Sequence, residues 1–289
     1  LLSVDPDTGA CTQLPNLQLP TVPEDCEGNV DCYNMAGSDD GTLWMLAGRN
    51  DLATLTEYVK NMSNFSDDGG KTQPGAYGFR WRNQFDYRKD QDLDQLAWAI
   101  KRLKADPNDR RVVIQMWDPA ADAYAADNGG KDVPCNLVAL PSIGSDGRLN
   151  LTVFNRSNDM VWGAYGANAV HFSVLQEYLA AMIGVPVGCY WQVANNFHGY
   201  LSTLGKAGEE WPWGASGLVG TNGQLLPDPY GAGKVRPMPM FEGLSQEEVM
   251  DDIEMFLSHP ARVGIRSAFL RKVAYPMVMA HRAYKRWRG

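Results

Sequence analysis

The stretch at 155–183 constrains the fold of this chain more than any other part of the sequence. It follows a strand-like run at 149–154 and opens with closely spaced polar and charged side chains up to Asp159. Small residues and two glycines come next, at 162–168, a composition that favours a loop in which backbone lies close to a ligand. From Ala169 onward, apolar residues recur at helical spacing until a glycine and a proline end the pattern. A strand, a polar loop and a buried helix are therefore predicted, together forming a rigid mount for a polar site.

A plainer interpretation fits the same stretch. Arg156 and Asp159 can pair across a turn, and Asn168 can cap the helix without binding anything. The choice between the two interpretations depends on what lies on either side.

The rest of the chain predicts one domain, because the sequence contains no repeat and no hinge-like linker. Residues 1–40, rich in Pro, Asp, Gly and Asn, are predicted to form an irregular amino-terminal arm, and 41–289 a single domain. Periodicity predicts helices at 51–59, 92–103, 169–183, 246–257 and 265–280. It predicts strands at 112–117, 137–143, 149–154 and 190–193. Loops are expected at 121–132 and 208–240, and a basic tail at 285–289.

Charge and cysteine content exclude several classes of protein. A net charge of −8 over 289 residues argues against nonspecific nucleic-acid binding. No apolar run is long enough to span a membrane, and the amino terminus lacks a basic-then-apolar signal. The five cysteines include no CxxC pair, which predicts reduced thiols in a cytoplasmic protein, and no metal site.

Cys135 is the candidate nucleophile. It follows a proline in a stiff turn at the start of a predicted strand, and Arg156 ends the next strand. A nearby guanidinium favours the thiolate, the form of cysteine that attacks electrophiles. The alternative is a small buried hydrophobic residue, the commoner role of cysteine.

Other polar groups suit a phosphorylated sugar. Arg110 and Arg111 form a ready phosphate clamp, since guanidinium groups match phosphate oxygens, unless they merely border a solvated turn. His198 and Tyr200 lie in a loop crowded with asparagines that can bind sugar hydroxyls, although a lone histidine more often caps or packs.

Six collinear motifs now carry a family resemblance: YGFRWR, NDRR, PCN, NRSND, GANAVHFSVLQEY and NNFHGY. Together they resemble the thymidylate synthase superfamily over about residues 43–204, and within it the pyrimidine-nucleotide hydroxymethylase branch most closely. The resemblance implies an α+β fold in which a twisted mixed β-sheet is flanked by helices and packs against its mate in a homodimer. It also implies a location in the cytosol of a bacterium or of a phage-infected host.

The resemblance implies a role for each matching residue. Cys135 would add to C6 of the pyrimidine, while Tyr77 and Asn155 would order the water and hydrogen bonds near C5. The co-substrate 5,10-methylenetetrahydrofolate would lie against Asp159 and Trp81. Nucleotide ligands would be Arg156 and Ser157 for phosphate, Arg110 and Arg111 from the neighbouring subunit, Asn168 for the base edge, and His198 with Tyr200 for the 3′-hydroxyl.

Departures from the family pattern bear on the reaction. Gly41 stands where the synthases have a glutamate that assists proton transfer, with Asp39 and Asp40 as candidate replacements. Asn136 replaces the histidine that follows the nucleophile. An altered proton network suits a reaction that water completes, so hydroxymethylation of dUMP is predicted. The alternatives are thymidylate synthesis, hydroxymethylation of dCMP or CMP, a catalytically silent nucleotide-binding protein, and a thiol hydrolase using Cys135.

Overall fold

A computed structural model describes residues 2–4, 11–13, 41–88, 91–202, 238–260 and 263–288. The α-helices are α1 (41–46), α2 (Ala53–Tyr58), α3 (Tyr77–Arg82), α4 (Gln95–Ala105), α5 (Pro119–Asp127), α6 (Asn168–Ile183), α7 (Gln246–Ser258) and α8 (Tyr275–Arg288). The strands are β1 (Leu2–Val4), β2 (Cys11–Gln13), β3 (Asp86–Arg88), β4 (Gln91–Asp92), β5 (Ile114–Gln115), β6 (Asn136–Ile143), β7 (Leu149–Asn155), β8 (Asn158–Asp159), β9 (Val187–Ala194) and β10 (Phe197–His198). A 3-10 helix spans Lys60–Phe65, and π-helical segments span Met160–Ala167 and Leu270–Ala274.

A four-stranded mixed sheet in the order β5-β6-β7-β9 forms the centre of the fold. β6 is antiparallel to both β5 and β7, whereas β9 runs parallel to β7. Parallel neighbours need a crossover connection, and α6 provides it. The predicted α+β architecture, a mixed sheet with flanking helices, is therefore confirmed.

One face of the sheet is covered by helices. Alternate residues of β7 are buried, as expected for a strand with one covered face. They pack in one hydrophobic core with α6, α4 and α7, represented by Leu151, Val153, Phe172, Leu175, Ile100 and Ile253. The buried Gln176 fixes α6 to the sheet, because its amide donates hydrogen bonds to the carbonyls of Leu149 (2.7 Å) and Cys189 (3.0 Å). Gly184 ends α6 in the left-handed conformation, with φ of 90°.

Helix α3 is held from both sides. A Cβ on Gly78 would lie 2.0 Å from the carbonyl oxygen of Met45, so only glycine allows α3 to pack this closely on α1. On its other side, Arg80 forms a buried ion pair with Asp122 of α5 and donates a further hydrogen bond to the carbonyl of Pro74. These contacts fix the first residue of α3, Tyr77.

The predicted loop at 121–132 was wrong over its first half, which forms α5. Asp118 caps this helix by accepting from the N–H groups of Ala120 and Ala121, and Pro119 occupies the first turn. The predicted loop at 162–168 was also wrong, because Met160–Ala167 forms a π-helical segment with a break at Gly166.

Other helices and strands differ from their predicted bounds. The strand predicted at 112–117 is only Ile114–Gln115, and the last helix extends through most of the predicted basic tail. Within the predicted arm at 1–40, β1 and β2 pair antiparallel. Asp39, Asp40 and residues 208–237 of the loop predicted at 208–240 lie outside the described residues. In the part of the chain that the structure covers, no helix is long and apolar enough to cross a membrane.

Candidate active site

Arg156 encloses the loop that carries Cys135. Its Nε donates to the carbonyl of Pro134 (2.8 Å) and its Nη2 to that of Val133 (2.9 Å). Its backbone N–H donates to the carbonyl of Cys135 (2.9 Å). Cys135 is a partly exposed free thiol. The guanidinium is therefore fixed against the loop that carries the thiol, and it lies 6.0 Å from the ring centre of Trp117.

The site forms where three neighbouring strands share one edge of the sheet. Asn136 opens β6 opposite Asn155, which ends β7, and Asn155 in turn pairs with Ala194 at the end of β9. Asn136 and Asn155 are both buried. Within the described ranges, Oδ1 of Asn155 has no hydrogen-bond partner, so a buried acceptor is available for a water or a ligand near the thiol.

Tyr77 lies against the nucleophile. Its hydroxyl lies against the backbone of Cys135 and Asn136, and burial raises its pKa, with a further contribution from negative charge on Cys135. The phenol therefore stays protonated and can donate a hydrogen bond. Its ring packs against Phe172 of α6, with 5.9 Å between the ring centres.

A chain of side-chain amides runs away from the nucleophile. Asn136 Nδ2 donates to Asn168 Oδ1 (3.2 Å), and Asn168 Nδ2 donates to Asn158 Oδ1 (2.9 Å). Asn158 Nδ2 donates to Gln192 Oε1 (2.8 Å), and Gln192 Nε2 donates to the carbonyl of Ala164 (3.1 Å). Asn168 uses one of its two amide hydrogens and one of its two lone pairs in these bonds. One amide hydrogen and one oxygen lone pair remain, and together they match the acceptor and donor groups on the edge of a pyrimidine.

This amide chain, called the amide relay below, was only partly anticipated. Asn168 was predicted as a site residue, whereas Asn158 and Gln192 were not. A Cβ on Gly163 would lie 2.2 Å from Asn158 Oδ1 and 3.1 Å from Asn168 Nδ2, so glycine is required beside the relay. Gly163, which the sequence analysis placed in a loop close to a ligand, thus also lets the backbone lie close to two buried side-chain amides.

Asp159 caps the π-helical segment that follows β8. Its Oδ1 accepts from the N–H groups of Val161 (3.0 Å) and Trp162 (2.6 Å). Its Oδ2 is buried and has no partner among the residues that the structure describes. Trp162, by contrast, is 65% exposed. A buried carboxylate oxygen without a donor, next to an exposed aromatic ring, fits a flat heterocycle that carries N–H groups.

His198 and Tyr200 come together beside this carboxylate. β10 pairs parallel to β8, which places His198 opposite Asp159. His198 Nδ1 shares a hydrogen bond with Asn196 Oδ1 (3.1 Å), and its ring meets Tyr200 edge to face at 5.3 Å. Two groups able to bind a hydroxyl therefore lie together beside Asp159, and their binding of the 3′-hydroxyl stays a prediction.

The predicted residues do not all converge. Arg110 is exposed, and Arg111, 74% exposed, is paired with Asp109, whose pKa it holds well below the usual range. Neither belongs to the cluster around Cys135. Trp81 is 1% exposed and packs edge-on against Phe172, so its ring is part of the core. Ser157 lies partly buried between the ends of β7 and β8.

Comparison with known proteins identifies the family. The family model described as "Thymidylate synthase" matches residues 39–211, more than half of the chain. This chain belongs to the thymidylate synthase family. The matched segment contains the cysteine loop, the amide relay and the β8–β10 pair, so the family match and the observed cluster coincide.

Curated relatives in the family carry two kinds of name. A deoxyuridylate hydroxymethyltransferase from Pseudomonas phage M6 is 48% identical over 244 residues, covering 84% of this chain and 66% of the relative. Another, from Bacillus phage SP01, is 42% identical over 171 residues, covering 57% and 43%. A thymidylate synthase from Symbiobacterium thermophilum is 30% identical over 230 residues, covering 75% and 73%. The chain thus spans just under two thirds of the first phage relative and under half of the second.

Proposed function

We propose that this chain transfers a hydroxymethyl group from 5,10-methylenetetrahydrofolate to C5 of a pyrimidine 5′-monophosphate, with dUMP as the substrate. The observation that carries the proposal is the cysteine loop: the loop that carries a partly exposed thiol is held by a guanidinium bound to its carbonyls and is bordered by a protonated phenol. That arrangement suits addition of a thiolate to an electron-poor ring carbon. The names of the two phage relatives support the same reaction.

Each side chain has a role in this proposal. The Cys135 thiolate adds to C6 and makes C5 nucleophilic, and the Tyr77 hydroxyl stabilises the negative charge that develops. Arg156 binds the 5′-phosphate through the part of its guanidinium that does not face the loop carbonyls, with Ser157 beside it. Asn155 orders a water near C5 through its open Oδ1. His198 and Tyr200 bind the 3′-hydroxyl.

The folate co-substrate, when bound, supplies the one-carbon unit at the oxidation level of formaldehyde. The residues present fit it, because Asp159 Oδ2 offers a buried acceptor to ring N–H groups and Trp162 offers an exposed aromatic face. Trp81, which the family resemblance places here, is buried in the core against Phe172 and does not offer its ring for stacking.

We further propose that the enzyme is a homodimer. The sheet face opposite the helices stays open within the described residues: Val138, Leu140, Phe154 and Trp191 are only half-buried. Apolar surface of this extent favours a partner, and a second copy gives an isologous interface. Arg110 and Arg111 lie apart from their own cluster, as required if they reach the site of the other subunit. A cytoplasmic location remains a prediction.

One experiment separates the candidate reactions. The purified protein is incubated with methylenetetrahydrofolate and each of dUMP, dCMP, UMP and CMP, and products are identified by mass spectrometry. 5-Hydroxymethyl-dUMP as the main product supports the proposal. dTMP with dihydrofolate indicates thymidylate synthesis, the activity named for the Symbiobacterium relative. Hydroxymethyl-dCMP or hydroxymethyl-CMP corrects the substrate. Nucleotide binding with neither product formation nor C5 tritium exchange indicates a silent binding protein.

A further inference from the structure

The imidazole of His171 has no role in the site described so far. Its Nε2 faces α1, where a Cβ built on Gly41 would lie 3.6 Å from it. Leu55 borders the same space, 3.7 Å from that position. Within the described ranges, His171 takes part in no hydrogen bond or ion pair. A partly buried imidazole without a partner therefore faces a space that the absent side chain of Gly41 leaves open.

This space is connected to the nucleophile through contacts of α6. His171 follows Asn168 by three residues, so the two side chains lie on the same face of α6, about 4.5 Å apart along its axis. Asn168 is bonded to Asn136, the neighbour of Cys135. The residue after His171, Phe172, packs against Tyr77, which lies against the nucleophile. The imidazole thus lies about one helical turn from Asn168, whose partner Asn136 directly follows Cys135.

The surroundings keep the ring neutral. Burial lowers the pKa of His171 to about 4, because the charged imidazolium is poorly solvated there. One ring nitrogen therefore carries a free lone pair at neutral pH. Negative charge from a nucleotide phosphate and from an enolate raises the basicity of a nearby imidazole. His171 would then become a stronger base as the reaction proceeds.

We propose that His171 is the general base that removes a proton from the water completing hydroxymethyl transfer. The proposal rests on the function proposed above. After C5 has taken up the one-carbon unit, loss of the C5 proton and departure of tetrahydrofolate, which keeps the electron pair of the broken carbon–nitrogen bond, leave the pyrimidine with an exocyclic methylene conjugated with O4. The water oxygen bonds to that methylene carbon, one water proton passes to His171, and an electron pair moves through C5 to O4. Return of that pair expels the Cys135 thiolate from C6. The net change consumes one water and needs no oxidant or reductant.

The test separates early from late steps. Enzyme in excess is mixed with C5-tritiated dUMP and methylenetetrahydrofolate in a single turnover. Tritium release reports the steps up to proton loss from C5, and hydroxymethyl product reports water addition. His171→Gln should keep tritium release within about threefold of wild type. It should slow product formation by about 10²–10⁴-fold, the usual contribution of a general base. An added small thiol should trap the methylene on the variant. His259→Gln, an exposed histidine after α7, is the matched control.

A second readout needs no folate. The chain contains four histidines, so their imidazole signals can be followed by NMR and assigned by substitution. Addition of dUMP alone should shift the His171 signal and leave that of His259 unchanged. An unmoved His171 signal overturns the proposal.

The remaining outcomes are also decisive. Product formation by His171→Gln within about threefold of wild type overturns the proposal. So does a parallel fall of tritium release and product, which indicates a positioning role. If thermal unfolding shows that His171→Gln does not fold, His171→Asn carries the same test with the same criteria. Failure of the proposed function is distinct: the wild-type protein then forms no hydroxymethyl product.

Discussion

Replacing Asn168 by aspartate tests the amide relay and the recognition of the base together. The Asn168 amide donates to Asn158 Oδ1 at 2.9 Å, and in the variant two acceptor oxygens would face each other there. Rotation of Asn158 and then of Gln192 can move the mismatch along the relay. It cannot remove it, because the relay ends at the backbone carbonyl of Ala164, which only accepts.

The relay therefore loses one buried hydrogen bond wherever the mismatch settles. An unsatisfied buried acceptor costs about 1–3 kcal/mol, and we expect Asn168→Asp to lower the free energy of unfolding by that amount. Protonation of the new carboxyl restores a donor, so its pKa in the folded state should be raised. A raised folded pKa means that the folded state binds more protons than the unfolded state. The loss in free energy of unfolding should therefore be complete at pH values above the folded-state pKa and should become smaller as the pH is lowered.

The same change alters the edge presented to the base. A carboxamide offers both a donor and an acceptor to uracil, whereas a carboxylate only accepts and suits the amino group of cytosine with a protonated N3. A mismatched polar edge costs at least about 1.4 kcal/mol, which corresponds to a factor of ten. The kcat/KM for dUMP relative to that for dCMP should therefore fall by about tenfold or more.

Urea unfolding at neutral and acidic pH measures the stability change, and steady-state kinetics with both nucleotides measures the preference. Asn128→Asp is the control, because Asn128 also donates through Nδ2 but lies exposed after α5. Its effect on stability should stay within about 0.5 kcal/mol. An unchanged nucleotide ratio in the Asn168 variant would refute base recognition by this amide. An unchanged stability at every pH would refute the relay.

Three further changes probe the nucleophile, the subunit arrangement and the scaffold. Cys135→Ser should abolish turnover while dUMP binding by calorimetry stays nearly intact, and turnover within about tenfold of wild type contradicts the assignment. Arg111→Ala and Cys135→Ser subunits, each inactive, should regain activity when mixed, and verified heterodimers without activity argue for a site within one chain. Asp122→Asn leaves Arg80 as a buried unpaired charge and should cost about 3–5 kcal/mol in urea unfolding. The exposed Asp127→Asn should stay within about 0.5 kcal/mol, and an equal loss in both variants excludes the ion pair as the cause.

The central hairpin was predictable because its sequence signals are local. Alternating apolar residues and the turn at 144–147 placed β6 and β7 within one residue of their observed bounds. Helix α5 was missed because its alanines and aspartates form no apolar stripe. The Asp118-Pro119 pair, an N-cap followed by proline, was the signal that could have revealed it.

The site was predictable only in part. Family motifs pointed to Cys135 and Arg156, which the structure brings together. The partnership of Asn158 with Gln192 depends on how β7 and β9 pair, and no local sequence pattern encodes that register. His171 gave no signal in the sequence, because its relevance depends on the space beside Gly41, in a different helix.

The shared edge of β6, β7 and β9 links catalysis to the order of folding. Hairpin β6–β7 can form early, since its strands adjoin in sequence, but β9 pairs with β7 only after α6 has crossed between them. A partly folded chain that lacks this pairing has the thiol but neither the complete relay nor the β8–β10 pair. Such a chain has Cys135 without the other groups of the proposed site, so the pairing of β9 with β7 is a condition for the proposed activity.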